Sequence, residues 1–520
     1  LSKPLLVADF SQGIRKDRQP WVIPRDAFVK LENSYVFRGV IRKKGGSTLI
    51  GDKVSSTIAD NVEDSRVKTN ASTVLNGPIV AIMNFEERAI NEETLLVWGS
   101  TGYPGTSHVS VFNTTVRRFL DAATTTTWTV DDSIIMTGKN YFGSLWVTTN
   151  NAANPIRYTF DPNTAWFDFA PVIKADGTTL TNALLTFPYK NRLVFLNTTE
   201  LGASGGTFNQ RARWCQNGTP YINLSKPPVA GSDINAWRED IPGKGGFIDA
   251  PTDEVIVAAE FYKDTLIVFF ERSTWQLRYT GNPNLPFIWD RVNSERGAES
   301  TRSIIRVEDG ILGIGYNGIF KSDGVNTTRI DQAIPDEVFG FGNQQAILKI
   351  VGIRDYFAQA VYWSYVDQDQ DQTLPFFPQK TLYYNYEEGT WGQFLQSYTA
   401  FGNYTEFDDR TWGQSNETWE EADYAWRNPA FIKGFPMIIG GTPQGIVHIL
   451  HSSGSDVKKM SEAISFSGSS DGSTITAINH NLSDNDFVEI VGATNPIADS
   501  IYQVIVTGKD SFIATDRDWE

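Results

Sequence analysis

The sequence predicts an all-β chain: a β-propeller of about seven blades followed by a small C-terminal β-barrel-like module. Three observations predict it. Short apolar runs bounded by turn residues recur along most of the chain at intervals of roughly 45 to 60 residues, the length of a propeller blade. Aromatic residues make up 13% of the sequence and charged residues only 20%, a balance that suits pleated, half-buried surfaces. Apolar residues spaced for a helix are scarce, and only residues 332–339 and 415–426 read as short helices.

Residues 1–50 read as an N-terminal arm that ends in a hairpin. Val36-Phe37-Arg38 and Val40-Ile41-Arg42-Lys43-Lys44 flank a turn at Gly39. Four units of one design follow: a first strand, a strongly apolar second strand buried on both faces, and an alternating third strand that ends near an aromatic. The first unit is Ile79-Val80-Ala81-Ile82-Met83, then Leu95-Leu96-Val97-Trp98 and Val109-Ser110-Val111-Phe112. The second is Ile134-Ile135-Met136, then Leu145-Trp146-Val147 and Ile156-Arg157-Tyr158-Thr159-Phe160. The third is Ala183-Leu184-Leu185, then Leu193-Val194-Phe195-Leu196 and Arg211-Ala212-Arg213-Trp214. The fourth is Val255-Ile256-Val257-Ala258-Ala259, then Leu266-Ile267-Val268-Phe269-Phe270 and Trp275-Gln276-Leu277-Arg278-Tyr279. Shorter units follow at residues 303–329, 350–394 and 400–450, so residues 51–450 form the propeller. Residues 451–463 read as a linker and 464–520 as the small module, with alternating strands near 473–478, 486–492, 501–506 and 511–514.

The units match no named repeat. Trp289-Asp290 has no preceding Gly-His pair, and Gly245-Gly246 and Gly440-Gly441 recur at no fixed period. Glu388-Gly389-Thr390-Trp391 and Asp409-Arg410-Thr411-Trp412 read as hairpin turns with a Trp beneath them.

Charge and chemistry narrow the function. The net charge is −16, and the longest basic run is Arg42-Lys43-Lys44, so tight gripping of nucleic acid through phosphates is not expected. An acidic surface still suits a wall along which DNA slides. The single cysteine, Cys215, excludes an intrachain disulfide. Sequons at Asn113, Asn197, Asn223, Asn326 and Asn403 read as chance in an Asn- and Thr-rich chain. No apolar run is long enough to span a membrane, and Leu1-Ser2-Lys3-Pro4-Leu5-Leu6-Val7 is too short and broken for a signal peptide.

Of the four histidines, His108, His448, His451 and His480, the pair His448/His451 has chelating spacing but no supporting Cys or Glu. The run Asp367-Gln368-Asp369-Gln370-Asp371-Gln372 starts like a calcium loop, lacks its glycine and has Pro378 where the final Glu belongs, so it reads as a solvated hairpin tip. Cys215 has no paired histidine in a known local pattern, and no phosphate-binding or nucleophile-elbow motif occurs. Residues 406–423, with Trp412, Trp419 and the nearby Trp426, are the best sugar-stacking candidate, but they better fit an aromatic-anchored surface loop at a subunit contact. The expectation is a non-enzyme, with no catalytic, cofactor-binding or metal-binding residues and no cofactor.

One stretch carries a resemblance. Asp264-Thr265-Leu266-Ile267-Val268-Phe269-Phe270-Glu271-Arg272-Ser273-Thr274-Trp275-Gln276-Leu277-Arg278-Tyr279, then Arg296-Gly297-Ala298 beyond a loop, resembles the packaged-DNA stabilisation (tail hub, or nozzle) proteins of short-tailed bacteriophages. The opening from Phe28 to Gly46 resembles that family's start, and the likeness covers roughly residues 20–450. A second stretch, Asn479-His480-Asn481-Leu482-Ser483-Asp484-Asn485-Asp486-Phe487-Val488-Glu489-Ile490 with Tyr502-Gln503-Val504 and Asp510-Ser511-Phe512, is similar to the first catalytic cysteine half-domain of ubiquitin-activating enzymes, a module found in phage tail proteins. This module holds no cysteine, so no catalysis is implied, and Asn481 stands where the family has glycine.

The resemblance implies a structural virion protein made in the host bacterial cytoplasm. It would form a homo-oligomeric ring, a hexamer, beside portal or adaptor ring proteins and other tail or fibre proteins. The ring would line and close the DNA channel, retain packaged DNA and conduct it during ejection, touching it transiently and without sequence preference. The alternative is a propeller glycan-binding protein or polysaccharide depolymerase; a secreted adhesion propeller is a third reading.

Overall fold

The computed structural model describes residues 10–50, 75, 77–87, 92–113, 118–121, 126–218, 220, 235–335, 338, 341, 344–367, 377–396, 398–405, 436–452, 465–467, 474–476, 487–489, 501–508 and 511–515. The chain is all-β, built from small antiparallel sheets of mostly four strands in chain order. The hairpins inside these sheets are set by tight turns. Phe142 and Gly143 (φ 46° and 76°) link Met136–Tyr141 to Ser144–Thr149, and Lys190 and Asn191 (φ 46° and 59°) link Thr179–Tyr189 to Arg192–Leu201. Paired positive φ values give the turn whose twist matches that of the strands it joins.

The first sheet comprises Ile79–Glu87, Glu92–Ser100 and Gly105–Asn113, with Arg118–Asp121 and Trp128–Val130 both on the third strand. The second adds Ile156–Asp161 and Ala165–Phe169 to its hairpin, and the third adds Gly206–Trp214 and Gly246–Asp249. The fourth is Ile256–Tyr262, Thr265–Phe270, Thr274–Tyr279 and Phe287–Asn293. The fifth is Ile305–Val307, Gly310–Gly315, Gly318–Ser322 and Thr327–Arg329.

The sixth and seventh sheets draw strands from the other end of the chain. Val351–Asp355, Ala360–Tyr365, Lys380–Asn385 and Thr390–Phe394 are extended outward by Ser34–Phe37 and then Val40–Lys43. Ala400–Tyr404, Met437–Gly441 and Val447–Ser452 are completed by Gly46–Leu49. The expected N-terminal hairpin therefore exists, and it serves as the outer edge of a distant sheet. A C-terminal sheet orders Ser465–Ser467, Thr474–Thr476, Ser511–Thr515, Ile501–Gly508 and Phe487–Glu489. A short α-helix, Gln344–Leu348, precedes the sixth sheet. Residues 332–339, expected to be helical, are described only in part, and 415–426 lie outside the described residues.

The core lies between sheets. Trp98, Trp128 and Trp166 meet edge-to-face between the first and second sheets, at centroid separations of 5.3–5.9 Å. Trp146, Phe195 and Trp237 pack between the second and third. Leu196, Leu266 and Trp275 lie between the third and fourth, and Phe269 and Phe320 between the fourth and fifth. Ile314, Trp363 and Trp391 join the fifth to the sixth, and Tyr362, Tyr398 and Ile438 the sixth to the seventh. Ala400, Ile439 and Val447 of the seventh then pack on Ile79, Ile82 and Val97 of the first. The second strands Ser144–Thr149, Gly310–Gly315 and Ala360–Tyr365 are buried at every position, because neighbours cover both faces. Each fully buried Leu or Phe in these layers stabilises by about 1.5–3 kcal/mol. The arrangement is propeller-like. No helix among the described residues is long and apolar enough to cross a membrane.

Candidate functional site

The first strand of each sheet is an edge strand, so its outward carbonyls need partners that its own sheet cannot supply. Side chains of neighbouring sheets supply them. Asn140 donates Nδ2 to the Asn84 carbonyl (2.8 Å), joining the second sheet to the first. Thr148 donates to Leu184 (3.0 Å), joining the second to the third, and Asn197 Nδ2 to Ile256 (3.1 Å), joining the third to the fourth. Thr301 donates to Val257 (2.7 Å) and Ser300 to Ile350 (2.9 Å), tying the fifth sheet to the fourth and to the entry of the sixth. Thr399 donates to Ile79 (2.7 Å), joining the seventh to the first. Sequence reasoning missed these residues. Their signal is a small polar residue in a first or second strand, or just before a first strand, too common in a Thr- and Asn-rich chain to stand out.

At the end where the chain enters the first strands lies a cavity of about 850 Å³. Its wall includes Asn182, Asn197, Thr301, Glu271, Arg272 and Glu299, with the helix Gln344–Leu348 at one side. Much of that polarity is already engaged: Asn182 Nδ2 donates to the Asn151 and Asn154 carbonyls at 2.7 and 3.0 Å. Burial raises the Glu299 carboxyl above its ordinary value.

Nearby sits a largely buried polar cluster of Arg302, Lys349 and Tyr103, of which Lys349 is buried and the other two half-buried. Arg302 Nη1 donates to the carbonyls of Val80 (3.1 Å) and Thr399 (3.4 Å), so one guanidinium from the fifth sheet holds the first and the entry of the seventh. Burial lowers its pKa, with partial offset from Tyr103, and its Nε has no partner among the described residues. Lys349 pairs with Asp132 and lies over the Phe377 ring; burial brings its ammonium down to about 8, against the pull of Asp132. Burial pushes the Tyr103 phenol up. This arrangement fixes strand ends to one another.

The stretch that carries the tail-hub resemblance forms the second and third strands of the fourth sheet. Glu254 Oε2 accepts hydrogen bonds from the Arg272 and Ser273 amides and from Ser273 Oγ, which in turn accepts one from Trp275 Nε1 (2.9 Å). Gly297 is needed for a close approach: a Cβ there would collide with the Phe270 carbonyl, which accepts from the Ala298 amide at 2.8 Å. The motif therefore marks a turn and a sheet-to-sheet contact.

The other sequence candidates do not converge. Cys215 is buried, and burial pushes its thiol up to about 12; Sγ accepts from the Leu193 amide and donates to the Gln216 carbonyl, a core role. His108 lies in the first sheet, and His448 is buried in Val447–Ser452, which also carries His451. Asp367 pairs with Lys380, while residues 368–376, residues 406–435 with their three Trp residues, and His480 lie outside the described residues. Among the described residues no group of three or more His, Cys, Asp or Glu could hold a metal ion. No protein-family model matches the chain, and no curated protein matches it.

Proposed function

We propose that each copy is a closed seven-bladed propeller and that copies assemble into a hexameric hub or nozzle ring in the tail of a short-tailed bacteriophage, retaining packaged DNA and conducting it at ejection. The observation that carries the reading is the Glu254–Ser273–Trp275 turn with Gly297 against Phe270. The residues behind the family likeness coincide with the junction of two neighbouring sheets. The packing of the seventh sheet on the first supports ring closure within one copy. Arg302 ties strand ends of neighbouring sheets within one copy, and the reading places the DNA channel between copies, walled by acidic surface. A head-to-tail ring needs two different complementary faces on each copy. Electron microscopy and mass photometry of the purified full chain test this. Six-membered rings with a central opening support it; a strict monomer at all concentrations ends it.

A second reading rests on the 850 Å³ cavity, whose wall holds Glu271 and Glu299. Under it the protein binds or cleaves a polysaccharide there. Glycan-array binding or release of reducing sugar, lost in Glu271→Gln and Glu299→Gln, would favour this reading over the ring.

A further inference from the structure

The chain is strongly polarised in charge. Residues 10–46 hold nine Lys/Arg and three Asp/Glu, a net of +6 within a chain of −16, which leaves −22 for the remainder. Three of these cations, Arg38, Arg42 and Lys43, lie exposed at one sheet edge. Val40–Lys43 is the last strand of the sixth sheet; it pairs with Ser34–Phe37 on one side and with no described strand on the other. All four of its residues are exposed, with Val40 at 58% and Ile41 at 37%. Arg38 and Arg42 lie over the Phe37 ring at 5.1 and 4.3 Å. The Glu388 carboxylate accepts from the Arg38 backbone amide at 2.6 Å, and among the described residues no salt bridge engages the side chains of Arg38, Arg42 or Lys43. Trp21, Val22 and Val29, in the segment leading to this hairpin, are also exposed.

An apolar, arginine-bearing edge with free backbone groups is built to take a protein partner. Cations along it repel an identical edge and attract an acidic surface. We infer that the strand Val40–Lys43, with Arg38, docks on the acidic body of a second copy of this chain, edge strand to face, giving a heterologous contact. This rests on the ring reading above and names the surface that would close the ring. Exposed Val40 and Ile41 weigh against a nucleic-acid occupant, which would call for cations alone at this edge.

The test compares the full-length wild type with the triple variant Arg38→Glu, Arg42→Glu, Lys43→Glu by mass photometry at low and high salt. The expected result is an oligomeric wild type that loosens with salt and a variant whose self-association is weaker by at least about tenfold. Thermal unfolding reports whether the variant is folded. Should it not fold, zero-length cross-linking of mixed isotope-labelled and unlabelled wild type decides: links from Lys43 to carboxylates of the other isotope support the contact, and links only within one copy overturn it. An oligomeric wild type with an equally oligomeric folded variant sinks this surface and leaves the ring reading standing. A monomeric wild type sinks both. Duplex-DNA binding that the variant loses while its oligomeric state is unchanged would reassign the strand to nucleic acid and overturn the inference.

Discussion

Two groups of arginines, in the third and sixth sheets, show how neighbours decide what a residue type does. In the third sheet Arg211 and Arg213 are buried with Glu200. Arg211 Nη1 and Arg213 Nε donate to one Glu200 oxygen at 3.1 and 2.9 Å. Asp249 takes a two-pronged bond from Arg211 (2.7 and 2.9 Å), Glu239 accepts from Arg213 (2.9 Å), and Arg211 stacks on Phe208 at 3.5 Å. On the outermost strand of the sixth sheet Arg42 has a ring beside it and no described carboxylate. Both segments are β-strands carrying Arg beside apolar residues. Where carboxylates from adjacent strands arrive, the guanidinium becomes an internal tie; where none arrives, its donors face outward for something else to meet.

Breaking the buried group gives the largest expected effect. Glu200→Ala leaves two buried cations short of an anion and should cost about 3–5 kcal/mol, read as a lower urea midpoint at constant slope. A loss under about 1 kcal/mol would mean that Asp249 and Glu239 suffice and that the contrast is overstated.

Arg302 sharpens the comparison, because it is half-buried and bonded to carbonyls rather than carboxylates. Arg302→Met removes two charge-assisted bonds from strand ends and should cost about 1.5–3 kcal/mol in the same measurement. Stability unchanged by this substitution would show that the apolar contact between the seventh and first sheets holds without it.

The converse case is an anion facing an anion. Glu93 lies directly across from Glu86 in the first hairpin, and burial, then Glu86, raises its pKa. Folded Glu93 holds its proton more tightly than unfolded, so its favourable contribution is present below the unfolded value and is lost as pH rises through the raised one. Glu93→Gln should therefore raise the thermal midpoint at neutral pH by a modest amount, and that gain should vanish in acid. An equal gain at both pH values would remove the charge explanation. The smallest effect belongs to the exposed edge: Arg42→Glu should change folding stability by no more than about 0.5 kcal/mol. A larger loss would mean that the strand is held by contacts its exposure does not reveal.

Much of the sheet order was legible. The apolar runs at Leu95-Leu96-Val97-Trp98, Leu145-Trp146-Val147 and Leu266-Ile267-Val268-Phe269-Phe270 lie in the second strands of the first, second and fourth sheets, because only a strand covered on both faces tolerates such a run. The fourth strands were harder to see. Gly246–Asp249 and Thr327–Arg329 are short and partly exposed, with no periodic pattern to betray them. The polar ties at Asn140, Thr148 and Thr399 were invisible for another reason: each serves a carbonyl of a different sheet, and nothing local distinguishes it from a surface Thr or Asn.

By itself the sequence determined that this chain folds into short antiparallel strands. Alternation and tight turns act within a few residues, so they are written locally. Tertiary structure alone decided that Gly46–Leu49 completes the sheet of Val447–Ser452, some 400 residues away along the chain, because edge pairing depends on which strand lies beside which. It also decided which cations are partnered. The carboxylates that meet Arg213 come from Glu200 and Glu239, on other segments, and none does so at Arg42.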